Sequence, residues 1–213
     1  MINKVKFCVC GEYPMIKIKI CGITRPCDID AVNSAMPDYI GFVFADSRRK
    51  VSPGQAAELR GKLAKGIIPV GVFVDEAVEH VLSLVQDGVI AVIQLHGAED
   101  EEYIQKLKRL TTKPVIKAVS VQKSGDVQKW TDTCADYILL DNKSGGTGQT
   151  FDWGLIGETN KPYFLAGGLD TDNIAAAISQ AVPFAVDASS GVETDGLKDH
   201  AKIDEFIRRV RNG

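Results

Sequence analysis

The sequence predicts an α/β protein: a single (β/α)8 TIM barrel with a short N-terminal extension. Three observations carry this. Short apolar runs rich in Val, Ile and aromatic residues alternate with amphipathic segments along nearly the whole chain. Beyond the first run, apolar and polar positions do not alternate strictly, which is how a strand covered on both faces reads. Eight such strand–helix units fit into 213 residues with no outsized connection and no low-complexity linker. Compact repetition of that kind favours closure over an open doubly wound sheet. The chain is somewhat shorter than the about 250 residues typical of these barrels.

Each element has its own signal. The first strand is read over residues 16–20, where Ile16, Ile18 and Ile20 alternate with Lys17 and Lys19 and lead into Cys21 and a Gly22-Ile23-Thr24 turn. Further strands are expected at 39–44, 68–73, 90–95, 114–118, 137–140, 163–166 and 184–187. Amphipathic helices are expected at 53–64, 77–86, 101–110, 171–180 and 200–210, with a short sixth helix near 152–158. Ser52 before Pro53 supplies an N-cap and a proline in the first turn. Asp170 and Asp172 place carboxylates at a helix start, and Arg208, Arg209 and Arg211 place cations at a helix end, both with the sign the helix dipole favours. Residues 1–14 do not join the alternation; they are expected to be an extension to a catalytic unit of residues 15–213, with Met15 as an alternative start.

Composition narrows the function classes. Acidic residues number 28 against 25 basic ones, a net charge of −3, and no long basic block stands out, so nucleic acid is not an expected partner. No uninterrupted apolar stretch reaches the about 18 residues of a membrane span. The N-terminus lacks the apolar core and cleavage site of a signal peptide. The five cysteines, Cys8, Cys10, Cys21, Cys27 and Cys134, are odd in number and scattered, unlike a disulfide framework. Cys8-Val9-Cys10 lacks the second ligand pair that zinc needs. The expectation is a reducing, cytoplasmic setting.

In a barrel of parallel strands, chemistry gathers at the strand C-termini. Cys21 ends the first strand there. A strand-end thiol often merely packs, but a thiolate favoured by a nearby Lys, Arg or helix N-terminus can act as a base. Asp141 follows the apolar run Tyr137-Ile138-Leu139-Leu140; it is either a rim cap or an acid whose pKa is raised by desolvation. Strands 1 and 6 lie three apart around an eight-stranded barrel, so the two groups would face each other across the mouth. Gly167-Gly168 and Ser189-Ser190-Gly191 follow strands 7 and 8, where backbone N–H groups commonly bind phosphate; the plainer reading is two tight turns. The glycine-rich segment 143–149, with Gly146 and Gly148, lacks the ending of a Walker motif and reads as a mobile lid or a plain loop. Arg49 is either part of a solvated basic cluster or a guanidinium for a substrate carboxylate. Gln94 and His96 end strand 4, and His96 reads equally as a ligand contact or a helix cap. Asp187 ends strand 8 and either orients a sugar hydroxyl or holds the rim together. His80 and His200 fall on helices away from the rim, and Trp130 and Trp153 read as packing residues.

Taken in order, Lys19-Ile20-Cys21-Gly22-Ile23-Thr24, Gly41-Phe42-Val43-Phe44, Gln94-Leu95-His96-Gly97, Leu140-Asp141, Gly146-Thr147-Gly148 with Phe151-Asp152-Trp153, Ala166-Gly167-Gly168-Leu169 and Asp187-Ala188-Ser189-Ser190-Gly191-Val192-Glu193 resemble the phosphoribosylanthranilate isomerases of tryptophan biosynthesis. The resemblance covers residues 16–211. It implies a cofactor-free barrel that converts N-(5-phosphoribosyl)anthranilate to 1-(2-carboxyphenylamino)-1-deoxyribulose 5-phosphate by an Amadori rearrangement. It implies Cys21 as general base, Asp141 as general acid and Arg49 as the partner of the anthranilate carboxylate. The segment before Arg49 is one residue shorter than the family pattern, which keeps Arg48 as the alternative. Gly168, Ser189, Ser190 and Gly191 match phosphate-loop positions, and His96 and Asp187 match pocket positions. The expected partner is a small phosphosugar, and the expected state is a monomer or homodimer. Rival readings are a related phosphosugar barrel, such as indole-glycerol-phosphate synthase or the histidine-pathway isomerase that uses two aspartates, and a binding-only barrel that senses a metabolite.

Overall fold

The computed structural model describes residues 15–142 and 150–212. Eight parallel strands close in sequence order into a barrel: β1 Lys17–Cys21, β2 Tyr39–Val43, β3 Ile68–Phe73, β4 Val92–Leu95, β5 Val115–Ser120, β6 Tyr137–Asp141, β7 Tyr163–Leu165 and β8 Ala185–Ala188. Helices α1 Pro26–Ala35, α2 Pro53–Gly61, α3 Val78–Gln86, α4 Glu101–Leu110, α5 Ile174–Ala181 and α6 His200–Asn212 cover the outside. After β5 and β6 the described residues of the connections form 3-10 turns, Gln128–Trp130 and Trp153–Leu155, where the sequence reading expects a short helix near 152–158. A two-stranded antiparallel hairpin, β9 Glu193–Thr194 and β10 Leu197–Lys198, follows β8.

Where boundaries depart from the sequence reading, local hydrogen bonds explain it. Helix α5 starts at Ile174 rather than 171 because Asp170 Oδ1 accepts from the amides of Asp172 and Asn173, at 2.9 and 3.0 Å, and holds residues 171–173 in a turn. Strand β4 starts at Val92 rather than 90 because the Val89 and Ile90 amides close the end of α3 on the Leu84 carbonyl. The Ser52 cap forms as expected, its hydroxyl accepting from the Gln55 amide at 3.2 Å. Helix α1 has no counterpart among the expected helices; the buried carboxylate of Asp28 anchors its start by accepting from the Thr24 and Arg25 amides at 3.0 and 2.9 Å.

The core has two layers. Between strands and helices lies a large apolar layer that includes Ile18, Ile20, Ile40, Ile93, Ile138 and Phe206. Inside the barrel a separate cluster holds Val70, Val92, Ile116, Leu139, Phe164 and Ala185, with Tyr39, Tyr137 and Phe184 against it. Alternation along a strand ties this inner layer to the site. Leu139 shares its face with Asp141, Val92 with Gln94, and Ala185 with Asp187. On β1 the residues that alternate with outward-facing Ile18 and Ile20 are Lys19 and Cys21. The barrel interior is thus apolar toward the strand N-termini and polar at the C-terminal mouth.

Candidate active site

A cavity of about 250 Å³ opens at that mouth, and Cys21, Arg49, Gln94, His96, Asp141 and Asp187 all line it. Gly167, Gly168, Ser189 and Ser190 line it as well. Residues from the ends of β1, β4, β6, β7 and β8 and from the loop after β2 therefore converge on one space, as the barrel geometry requires.

Cys21 is the last residue of β1 and pairs with Gly41 of β2. A Cβ on Gly41 would lie 2.7 Å from Cys21 Sγ, so the absent side chain makes room for the sulfur. Beneath it, Lys19 is 0% exposed and its ammonium donates to Asp187 Oδ2 at 2.7 Å. Lys19 and Asp187 are direct register partners of β1 and β8. Burial pushes the Cys21 thiol above its ordinary pKa; the positive charges of Lys19 and Lys198 pull the other way, and Asp187 adds to the rise. Burial likewise raises Asp187, opposed chiefly by Lys19. Burial alone would lower Lys19, but the Asp187 charge and hydrogen bond, with Cys21, hold it above the usual lysine value.

Asp141 stands three strands away, at the end of β6. Its Oδ1 accepts from the Asn142 amide at 2.7 Å, and a Cβ on Gly167, which has φ +81°, would come within 3.0 Å of that oxygen. His96 Nε2 lies 3.5 Å from Asp141 Oδ2. The Gln94 amide lies 3.0 Å from His96 Nδ1, which orients the ring so that Nε2 faces Asp141. His96 therefore belongs to the cavity; the cap of α4 is Asp100, which accepts from the Tyr103 amide.

Arg49 and Arg48 part company here. Arg49 is 13% exposed at its side chain and lines the cavity, whereas Arg48 is 56% exposed and does not. Both grip Glu193: Arg49 through Nε and Nη2 at 2.7 and 3.0 Å, Arg48 through Nη2 at 2.7 Å. Gly22, at φ +85°, clears the path of Arg49, since a Cβ there would meet the arginine Cδ at 2.4 Å. Lys198 adds a third cation on Glu193 at 2.5 Å and donates to the Ser189 carbonyl at 3.0 Å. Burial pushes Glu193 upward, but the hydrogen bonds and charges of Arg49 and Lys198 outweigh it and leave Glu193 below the ordinary glutamate value.

The two turns after β7 and β8 meet at one wall. Gly167 and Gly168 have φ of +81° and +65°, a region open to glycine. Ser190 begins a 3-10 turn, Ser190–Val192, and Ser189 Oγ donates to the Cys21 carbonyl at 3.0 Å. Gly191 does not line the cavity; a Cβ there would lie 2.0 Å from the Leu169 carbonyl, so its role in the structure is close packing of the two turns. Gly146 and Gly148, like Cys8 and Cys10, lie outside the described residues. His80 pairs with Glu76, and neither it nor His200 lines the cavity. Trp130 packs on the core under the Lys117 ammonium, 5.5 Å from its ring centre, and Trp153 packs on the core too.

Sequence reasoning missed Lys19, Glu193 and Lys198 as parts of the site. Lys19 carried a signal, a basic residue two places before Cys21 and so on the same strand face. Glu193 and Lys198 carried none, because only the hairpin pairing brings them to Arg49. Two buried acceptors of the cavity wall, Gln94 Oε1 and Asp187 Oδ1, have no hydrogen-bond partner among the described residues. Buried acceptors are normally satisfied, so this wall suits a ligand rich in hydroxyl donors.

Among the described residues, no helix is long and apolar enough to cross a membrane. The family model for N-(5'-phosphoribosyl)anthranilate (PRA) isomerase matches residues 18–209. An N-(5'-phosphoribosyl)anthranilate isomerase of Endomicrobium trichonymphae is 47% identical over 202 residues, covering 93% of this chain and 100% of that one. A crystal structure from Thermotoga maritima, described as mutually generated monomers of a dimeric phosphoribosylanthranilate isomerase, matches with TM-score 0.81 and 37% identity over 93% of this chain and 100% of that chain. A phosphoribosylanthranilate isomerase in complex with reduced 1-(o-carboxyphenylamino)-1-deoxyribulose 5-phosphate matches with TM-score 0.81 and 36% identity, over the same 93% and 100%. The chain belongs to the N-(5'-phosphoribosyl)anthranilate isomerase family, the isomerases of tryptophan biosynthesis.

Proposed function

We propose that Cys21 is the general base and Asp141 the general acid of the phosphoribosylanthranilate isomerisation, with Arg49 for the carboxylate and the turns at Gly167-Gly168 and Ser189-Ser190 for the phosphate. The observation that carries this reading is the placement of Cys21 and Asp141 on opposite strands of one cavity that also holds Arg49 and both turns. The substrate has a carboxylate at one end, a phosphate at the other and a sugar between. Arg49 offers a guanidinium fork to the first, and glycine-rich turns offer backbone N–H groups to the second. Held at both ends, the sugar lies between the two side chains, and positioning supplies part of the rate. Gln94 and Asp187 accept from its hydroxyls. Gly191, behind the wall, acts on the phosphate turn by packing. Gly146 and Gly148 are assigned to substrate binding.

The steps then balance. Asp141 gives its proton to the ring oxygen as the bond from that oxygen to C1 breaks and the nitrogen lone pair forms an iminium. The Cys21 thiolate takes the proton from C2, and the released pair makes an enolamine. Tautomerisation moves the C2 hydroxyl proton to C1 and yields the ketone; Cys21, now a thiol, releases its proton to solvent and Asp141 takes one up, which restores both groups for the next turnover. Each step moves a proton or an electron pair. A reducing, cytoplasmic compartment suits a base that must stay a free thiol. The catalytic unit is residues 15–213, with residues 1–14 an extension. It works as a monomer or as a homodimer, the Thermotoga relative being described as dimeric.

The test is turnover of freshly generated phosphoribosylanthranilate, followed by loss of anthranilate fluorescence. Wild type should consume it rapidly. Cys21→Ala and Asp141→Asn should lower kcat by about 10²–10⁴-fold each with a much smaller change in KM, since each group acts in the chemical step. Variants that lose rate through KM alone would rule out these roles.

A further inference from the structure

We propose that Lys19 is a positioning residue for catalysis: its ammonium makes the Cys21 thiolate tenable inside the barrel, and Asp187 limits how much of that charge the sulfur receives. The proposal rests on Cys21 as the base. Lys19 and Cys21 are two apart on β1 and share the inward face. The ammonium bonds Asp187 Oδ2 at 2.7 Å, and its positive charge acts on the Cys21 sulfur. It is fully buried, so no solvent competes for its three donors.

Charge counting shows why this matters. Below a neutral thiol, Lys19 and Asp187 form a neutral buried pair. When the thiol gives its proton to solvent, an uncompensated negative charge appears beside a buried carboxylate, at a cost a dry site tolerates only with a cation at hand. The charged groups around the sulfur are Lys19 from β1, Asp187 from β8, Lys198 from β10 and Arg49 from the loop after β2, with Asp141 of β6 and His96 after β4 acting through Asp187. Arg49 and Lys198 are committed to Glu193. Lys19 is the cation that shares the inward face of β1 with the sulfur and is bonded to Asp187, so a thiolate there can share its ammonium with the carboxylate. The free Oδ1 of Asp187 leaves that carboxylate able to take a substrate hydroxyl, which would draw it away from Lys19 and turn more of the ammonium toward sulfur.

The test is the pH dependence of Cys21 alkylation by iodoacetamide, read site by site through peptide mass mapping of the full chain, beside kcat/KM profiles. Lys19→Met should leave about tenfold or more less thiolate at a given pH than wild type, and the rising limb of kcat/KM should move to higher pH by the same amount, with KM changing less. Asp187→Asn should move the alkylation midpoint the opposite way, and Lys19→Arg should restore most of the wild-type midpoint. If Lys19→Met does not fold, the doubly neutral Lys19→Met/Asp187→Asn variant is compared with Asp187→Asn alone, and the same upward movement is expected. An unmoved midpoint, or one moving in the same direction for Lys19→Met and Asp187→Asn, overturns the proposal by reducing the pair to a structural clamp. Failure of the underlying reading looks different: Cys21→Ser would then keep wild-type turnover whatever the alkylation shows.

Discussion

The two flanks of the cavity solve opposite problems with different materials. On the β1–β8 flank, Cys21, Lys19 and Asp187 are buried, fixed by adjacent paired strands and held by direct charge–charge contact. On the β6 flank, Asp141 is held by a neighbouring backbone amide and by a half-exposed histidine. A base that must lose a proton inside a dry barrel needs a fixed cation close by. An acid that must donate a proton and recover it needs an exchangeable neighbour and a path outward. On the proposed roles, burial serves the base because Lys19 is buried with it, whereas the acid sits on a more open rim.

The largest test of this contrast is pH. Burial raises the Cys21 thiol, so the fraction in the basic form grows with pH through and above neutrality. Wild-type kcat/KM should therefore rise with pH across that range. Cys21→Ser keeps the size but not the acidity; it should lose about 10²–10⁴-fold in kcat and also lose that rise. Asp141→Asn should lose a similar factor yet keep the rise. Identical profiles in the two variants would erase the distinction between the flanks.

The flanks also differed in how much of them could be read from sequence. The barrel was legible because each strand is an apolar run and the interior and exterior layers use different residues of the same run, as Ile18 and Lys19 do. Cys21 and Asp141 were legible because both stand at strand ends, and so were the turns at Gly167 and Ser189. Lys19 was half legible: the alternation put it on the face of Cys21, but its partner lies 168 residues away on β8, and only closure of the barrel makes them neighbours. The Glu193–Lys198 hairpin was illegible, because strands of two residues leave no periodic trace. Arg48 and Arg49 could not be separated either, since their side chains differ by burial and not by type. A Cβ on Gly191 would collide with the Leu169 carbonyl, so packing alone already requires glycine there, whatever its backbone N–H does; a glycine in a sequence shows that space is needed, not for what.

A smaller effect is expected from filling that kind of space on each flank. Gly41→Ala would put a methyl group 2.7 Å from Cys21 Sγ, with the Cys21 backbone also within 3.2 Å. The sulfur must shift, and displacement of a reacting group by a fraction of an ångström to an ångström costs about 10–100-fold in kcat. Gly167→Ala meets Asp141 Oδ1 at 3.0 Å but also forces a positive φ on alanine. It should destabilise the turn by about 1–2 kcal/mol as well as slow the reaction. Melting curves beside kcat separate the two: Gly41→Ala should keep most of its Tm, and Gly167→Ala should lose several degrees. Equal losses in both measurements would mean that the flanks are not independently built.

The smallest effect concerns acid stability, and it belongs to the base flank alone. Glu193 binds Arg49, Arg48 and Lys198, and its pKa lies below the ordinary glutamate value because those contacts overcome burial. A carboxylate depressed in the folded state contributes stability above the unfolded glutamate pKa and loses it as pH falls through the folded value. Glu193→Gln should therefore lower stability at neutral pH by about 2 kcal/mol, the scale of hydrogen bonds to a charged group. The deficit should shrink as the medium is acidified below about pH 4, where wild type begins to protonate the same carboxylate. Urea midpoints of wild type and variant at neutral and acid pH measure this directly. Because Arg49 and Lys198 are then released, the cations near Cys21 become free to swing, and the thiol titration should move with the variant while the Asp141 flank does not. A deficit that stays constant with pH would show that Glu193 contributes shape and not charge, and that Lys19 alone governs the electrostatics of the base.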